Sequence, residues 1–214
     1  MVWGCSHDLW LPPHPVARQC LMSETTPAPD LSFEMPPELA TQGFAVRPRT
    51  PQDTDFLREL YISFRWAELE AAGWPEATRR SFLADQFRLQ DNHYTTHYTT
   101  TAFLIITQNG APVGRLYIDR GGVHEIRLVD IILVPMLTGR GIGSAIIRVL
   151  LDEAARTGRY VGLHVESYNP ARRLYQRLGF VDRRLEGPYF YMSWGDFPAD
   201  AGTVAGDGVQ LNTI

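Results

Sequence analysis

No lysine occurs among the 214 residues: all 20 basic residues are arginine, set against 24 acidic ones for a net charge of −4. Without lysine the chain lacks the central cation of a nucleotide-hydrolysing P-loop. A surplus of positive charge is missing as well, so nucleic acid is not the expected partner. Cysteine is scarce. Cys5 and Cys20 both fall in an N-terminal stretch poorly suited to folding, which argues against a disulfide framework, a CxxC metal site or a cysteine nucleophile. No stretch approaches the roughly 18 consecutive apolar residues of a membrane span, and the N-terminus lacks the basic-then-apolar layout of a secretory signal. A cytoplasmic protein with no membrane partner is the expectation.

What the chain does have is 44% hydrophobic residues, enough for one domain with a sizeable core. Residues 1–43 hold two Pro-Pro pairs and no sustained period, and read as a flexible leader. Met22, followed by Ser-Glu-Thr-Thr, is an alternative start of translation. Residues 196–214 read as a flexible tail, leaving 44–195 as the working domain.

Within that domain FAVRP reads as a strand, and Thr50-Pro51-Gln52-Asp53 as the capped start of a helix running to about Phe64. A second helix begins at Pro75, with Phe82, Leu83, Gln86, Phe87 and Gln90 on one face, and ends within HYTTHYTTT. AFLIITQNGAPVGRLYIDR is two strands around an Asn-Gly turn, and GGVHEIRLVDIILVP a third antiparallel neighbour ending at Pro135. Ile142, Ala145, Ile146, Val149 and Leu150 then recur at helical spacing until Gly158. YVGLHVES is a strand, NPARRLYQRLGF a capped helix stopped by Gly179, and YFYMSW a final strand. The predicted class is α/β (α+β), a single domain with a mixed central sheet of about six or seven strands and helices on both faces.

The densest chemical signal is LTGRGIGSAII, where Gly139, Gly141 and Gly143 surround Arg140 and lead into a helix. Backbone N–H groups and the positive end of the helix dipole converge at such a turn, making a site for phosphate or pyrophosphate. Ser144-Ala145 stands where a P-loop needs Lys-Ser/Thr, and the spacing is not the GxGxxG of a dinucleotide fold, whose turn would also open a βαβ unit.

VDIILVPMLTGRGIGSAIIRVLLDEA resembles the acyl-CoA-binding motif of the GNAT superfamily of N-acetyltransferases, a strand, an Arg/Gln-x-x-Gly-x-Gly/Ala loop and a helix. Both glycines match, and Thr138 stands at the Arg/Gln position. HVESYNPARRLYQRLGF resembles the family's later motif, an asparagine opening a helix, a tyrosine within it and a closing Gly-Phe. The resemblance covers essentially 44–194 and implies acetyl-CoA as co-substrate. It implies pantetheine along the backbone of Ile131, Leu133 and Val134, pyrophosphate over Thr138, Gly139, Arg140, Gly141, Ile142, Gly143 and Ser144, and a further contact at Asn169, which also reads as a helix cap.

It also implies Tyr175 as the general acid beside the thioester sulfur, although helical spacing alone reads Tyr175 as half-buried packing. The slot where family members with a clear base often carry glutamate falls on Arg127, a cation suited to an acidic group on the substrate. Glu125 and Asp130 are then the candidate bases. Glu125 shares the strand face of Arg127, whereas Asp130 has opposite parity unless a bulge intervenes. A backbone N–H near Ile131–Leu133 is the expected oxyanion donor. His93 and His97 are four apart but have no evident third ligand, so no metal is predicted; that helix end, with Tyr61, Trp66 and Trp74, is expected to line the acceptor pocket. His164 reads as a satisfied strand histidine.

The expected activity is acetyl transfer to a primary amine by direct attack in a ternary complex, the acceptor being a small molecule or a peptide N-terminus. A non-catalytic acyl-CoA sensor of the same fold is the rival, and a nicotinamide enzyme a distant third. A homodimer stays open.

Overall fold

A computed structural model describes residues 28–198. Cys5, Cys20 and Met22 lie outside them, as does the tail from residue 199 onward. Seven strands form one sheet: β1 (Phe44–Pro48), β2 (Thr101–Gln108), β3 (Ala111–Asp119), β4 (Glu125–Leu133), β5 (Tyr160–Glu166), β6 (Val181–Glu186) and β7 (Tyr189–Trp194). Their order is β1-β2-β3-β4-β5-β7-β6, antiparallel throughout except where β4 meets β5.

Strand periodicity divides the core. Ile105 points to one face, against Leu57, Tyr61 and Ile62 of α2 (Thr54–Ala71) and Leu83 and Phe87 of α3 (Glu76–His97). Leu104 and Ile106 point to the other face, against Ile146, Ile147, Leu150 and Ala154 of α4 (Ile142–Thr157). Asn109 and Gly110, both at positive φ, close the β2–β3 hairpin as the sequence predicts.

Three expectations change. Residues up to 43 are not all leader: α1 (Pro37–Ala40) follows Pro36, and Met35 and Leu39 are buried in the main core. The proline pair pre-sets a first helical turn here rather than excluding one. The helix expected to stop near Phe64 continues to Ala71, because no breaker intervenes before Gly73. VDRRLE forms edge strand β6, which no apolar alternation announces; backbone pairing to β7 and a hydrogen bond from Arg183 to Ser193 hold it.

Candidate active site

The site originates where β4 and β5 part. They pair in parallel only over Glu125–Arg127 with Tyr160–Gly162, and diverge beyond it. On its other edge β4 stays paired with β3, with one irregularity: the register steps from Ile118↔Leu128 to Tyr117↔Asp130, leaving Val129 as a bulge. A bulge reverses side-chain parity downstream. Asp130 therefore shares the face of Glu125 and Arg127 after all, and Ile131 turns towards the α4 side.

The bulge does not interrupt the backbone alternation that follows. The Val134 N–H donates to the Val113 carbonyl at 2.9 Å, so Ile132 and Asp130, two and four residues back, also face β3. The N–H and C=O groups of Ile131 and Leu133 consequently face the wedge vacated by β5. Val134, grouped with them on sequence grounds, has its amide committed to the sheet.

On the α4 side the wedge opens into a cleft of about 520 Å³, lined by Ile131–Leu133, Thr138, Gly139, Gly141–Ser144, Ile147 and α5 (Ala171–Arg177). Gly139 and Gly141 adopt φ of +77° and +81°, a region that penalises any side chain, and Gly141 caps α4. A Cβ placed on Gly139, Gly141 or Gly143 would meet nothing within 4 Å, so the turn leaves open space above the helix N-terminus. Arg140 is exposed and outside the cleft lining, whereas Arg177, on the facing helix, lines it. Asn169 caps the helix as expected, its Oδ1 accepting the Ala171 N–H at 2.9 Å, and the residue also borders the cleft.

Through the wedge lies a second cavity of about 170 Å³, bounded by Tyr61, Phe64 and Arg65 of α2, Gln90 and Tyr94 of α3, Arg115 of β3, Asp130, Glu166 and Tyr189. Arg115 donates from Nη2 to Asp130 at 2.5 Å and to Gln90 at 2.9 Å. Arg65 is paired with Glu166 at 3.2 Å and with Glu68 at 2.9 Å. Tyr175 lines both cavities, as do Phe64, Ile131, Ile132, Asn169 and Ala171. Its ring packs edge-on against Phe180, and burial, reinforced by the charge of Asp130, raises its phenol well above the ordinary tyrosine value.

Several predicted residues are not brought there. Glu125 accepts a hydrogen bond from the Tyr191 hydroxyl at 3.1 Å and pairs with Arg127 at 3.2 Å, at the closed end of the wedge. Arg127 also donates to His164 Nδ1, lines neither cavity, and is no acid-binding group for an acceptor. His164, which does line the smaller cavity, donates its Nε2–H to Glu186 at 2.8 Å; burial and Arg127 lower its pKa to about 4, so it is the neutral, satisfied histidine expected. His93 and His97 stack on each other outside the cavity, and Tyr94 and Gln90 from the same helix take the lining role. Trp66 lies under Arg79, and Trp74 packs on Phe82. Phe64, Arg65, Gln90, Arg115, Glu166 and Arg177 went unrecognised in the sequence; among them Arg177 alone carries a local signal, two residues beyond Tyr175 in the later motif.

Among the described residues no group of three His, Cys, Asp or Glu side chains is placed for a metal ion, and no helix is long and apolar enough to cross a membrane. The model of the acetyltransferase (GNAT) family matches residues 61–180, more than half of the chain, and the chain belongs to that family. In shape it is similar to PaiA N-acetyltransferase from Thermoplasma acidophilum, a structure in complex with coenzyme A, with a TM-score of 0.54 and 18% identity over 72% of this chain and 99% of that one. An acetyltransferase from Thermus thermophilus is similar with a TM-score of 0.51 and 20% identity, over 72% and 97% of the two chains. A GCN5-related N-acetyltransferase from Rhodopseudomonas palustris gives 0.50 and 18%, over 71% and 95%. Likeness at these identities is one of fold. No curated protein matches the chain in sequence.

Proposed function

We propose that the protein transfers the acetyl group of acetyl-CoA to a primary amine by direct attack within a ternary complex. The observation that carries this reading is that two cavities, one running along the free β4 edge to the glycine turn and one walled by paired charges and aromatic rings, meet at Tyr175 and Ile131. Coenzyme A fits the first by three features of this chain: the free β4 edge at Ile131 and Leu133, the open glycine turn at the α4 N-terminus, and Arg177 across the cleft. Arg177 is the cation we assign to the phosphates, in the role that Thr138 cannot fill and for which Arg140 is turned outward. Bound acetyl-CoA supplies an activated acyl carbon.

The remaining steps belong to side chains and backbone of this protein. The Ile131 N–H, facing the wedge where the cavities join, donates to the carbonyl oxygen as negative charge builds on it. Asp130 receives the acceptor's ammonium and takes its proton, its carboxylate held in place by Arg115, which donates to Gln90 as well. Tyr175 keeps its proton across the neutral range because burial raises its pKa, and so can donate it to the departing thiolate, a group comparable to cysteine at about 8.5.

The alternative, an acyl-CoA sensor that does not turn its ligand over, draws on Thr138 and on the prior engagement of Asp130 by Arg115. The test is release of free CoA from acetyl-CoA over a panel of amines, with CoA binding measured by calorimetry on the same protein. Amine-dependent release is expected; binding without release from any acceptor favours the sensor.

A further inference from the structure

The acceptor cavity is walled by charges of both signs, and each is already paired with another: Arg115 with Asp130, and Arg65 with Glu166. Arg115 is 2% exposed and its partner Asp130 14%. The Nε of Arg115 is buried without a hydrogen-bond partner. At the other end Arg65 is 7% exposed against 10% for Glu166, and 41% for its second carboxylate, Glu68. His164, neutral above about pH 4, adds no cation. Both guanidiniums line the cavity, but each is less exposed than the carboxylate that neutralises it. Asp130 and Glu166, the more exposed member of each pair, line the cavity among the rings of Tyr61, Phe64, Tyr94 and Tyr189, with the two paired arginines and the neutral His164 in the same wall.

We infer that the acceptor is a compact amine with an apolar, uncharged body, and that the cavity rejects amines bearing a carboxylate. This rests on the acetyl-transfer reading for the identity of the site. An ammonium group entering the cavity meets carboxylate oxygens and aromatic faces, both favourable to a cation. A carboxylate on the same molecule would be desolvated within about 170 Å³, beside like charges and with both lining cations already neutralised by carboxylates, so discrimination comes from repulsion as much as from attraction. Arg127, the one cation the sequence offered for an acidic acceptor, lines neither cavity and is spent on Glu125 and His164.

The test uses matched acceptors that differ only in the carboxylate: 2-phenylethylamine against phenylalanine, 3-methylbutylamine against leucine, with a short peptide bearing a free N-terminal alanine as a third arm. Rates of CoA release on the full chain should favour each amine over its amino acid by at least about tenfold in kcat/KM, with the peptide below both amines. An amino acid or the peptide matching the amine overturns the inference while leaving acetyl transfer standing. If no acceptor releases CoA, acetyl transfer itself fails, and the inference is then decided by binding. With CoA present, the amine and not the amino acid should raise Tm, and equal or reversed shifts overturn it. Glu166→Gln, with the milder surface change Glu68→Gln in case the first fails to fold, strips the screen from Arg65 and should narrow the amine-to-amino-acid ratio. An unchanged ratio in Glu68→Gln and in any folded Glu166→Gln contradicts the electrostatic basis.

Discussion

On the α4 side of the wedge the groups offered to a ligand are mostly backbone: the free edge at Ile131 and Leu133, the amides of a turn held open by glycine, and the end of a helix dipole, with one exposed arginine opposite. On the α2–α3 side they are side chains, and nearly every one is held by another: Arg115 by Asp130 and Gln90, Arg65 by Glu166 and Glu68. Backbone sites tolerate side-chain change and need glycine; side-chain networks fail when a single member is removed. The two halves therefore break differently.

The largest effect should come from the networked half. Asp130→Asn leaves Arg115 buried with its countercharge gone, and loss of one partner of such a pair costs about 3–5 kcal/mol. Urea unfolding should show that loss together with a large fall in kcat. The double change Arg115→Met with Asp130→Leu should recover most of the stability and none of the activity. Recovery of both would remove Asp130 from the chemistry.

In the backbone half the expected losses are smaller. Arg177→Ala should weaken CoA binding about five- to tenfold, an effect that fades as salt rises, because the side chain is exposed. Arg140→Ala should change it less than about twofold. Calorimetry at low and high salt reads both, and the reverse ranking would return the phosphate role to the glycine turn. Gly141→Ala should cost about 1 kcal/mol through its positive φ alone, since no neighbour lies within 4 Å to clash.

At the closed end of the wedge, His164 gives a pH signature. Its folded-state pKa of about 4 lies below its ordinary 6.5, so the fold favours the neutral ring. That contribution is fully present above about pH 6.5 and is lost as pH falls through about 4. Thermal unfolding between pH 7 and pH 4 should fall less steeply in His164→Gln than in the wild type; equal slopes would show that the ring does not titrate with folding.

The same contrast explains what the sequence disclosed. The glycine turn, the Asn169 cap and Tyr175 are local patterns, complete within a few residues, and each lies on the wedge. The acceptor cavity depends on pairs such as Arg65 with Glu166, 101 residues apart, and on one bulge at Val129 that decides which way Asp130 points. Strand alternation alone placed Glu125 there, and pairing with Arg127 holds it away. β6 escaped notice for a related reason: its stability lies in its partner strand, and its own residues are mostly charged, with none buried.

The claim that the two halves form one catalytic site is tested most directly at Tyr175, the residue they share. CoA affinity by calorimetry and amine-dependent CoA release are measured side by side on the wild type and Tyr175→Phe. The account predicts unchanged affinity, within about twofold, and a kcat lower by about 10²–10⁴-fold, with no alkaline fall in the wild type up to about pH 10 that this phenol would cause. Unchanged turnover in Tyr175→Phe would contradict it.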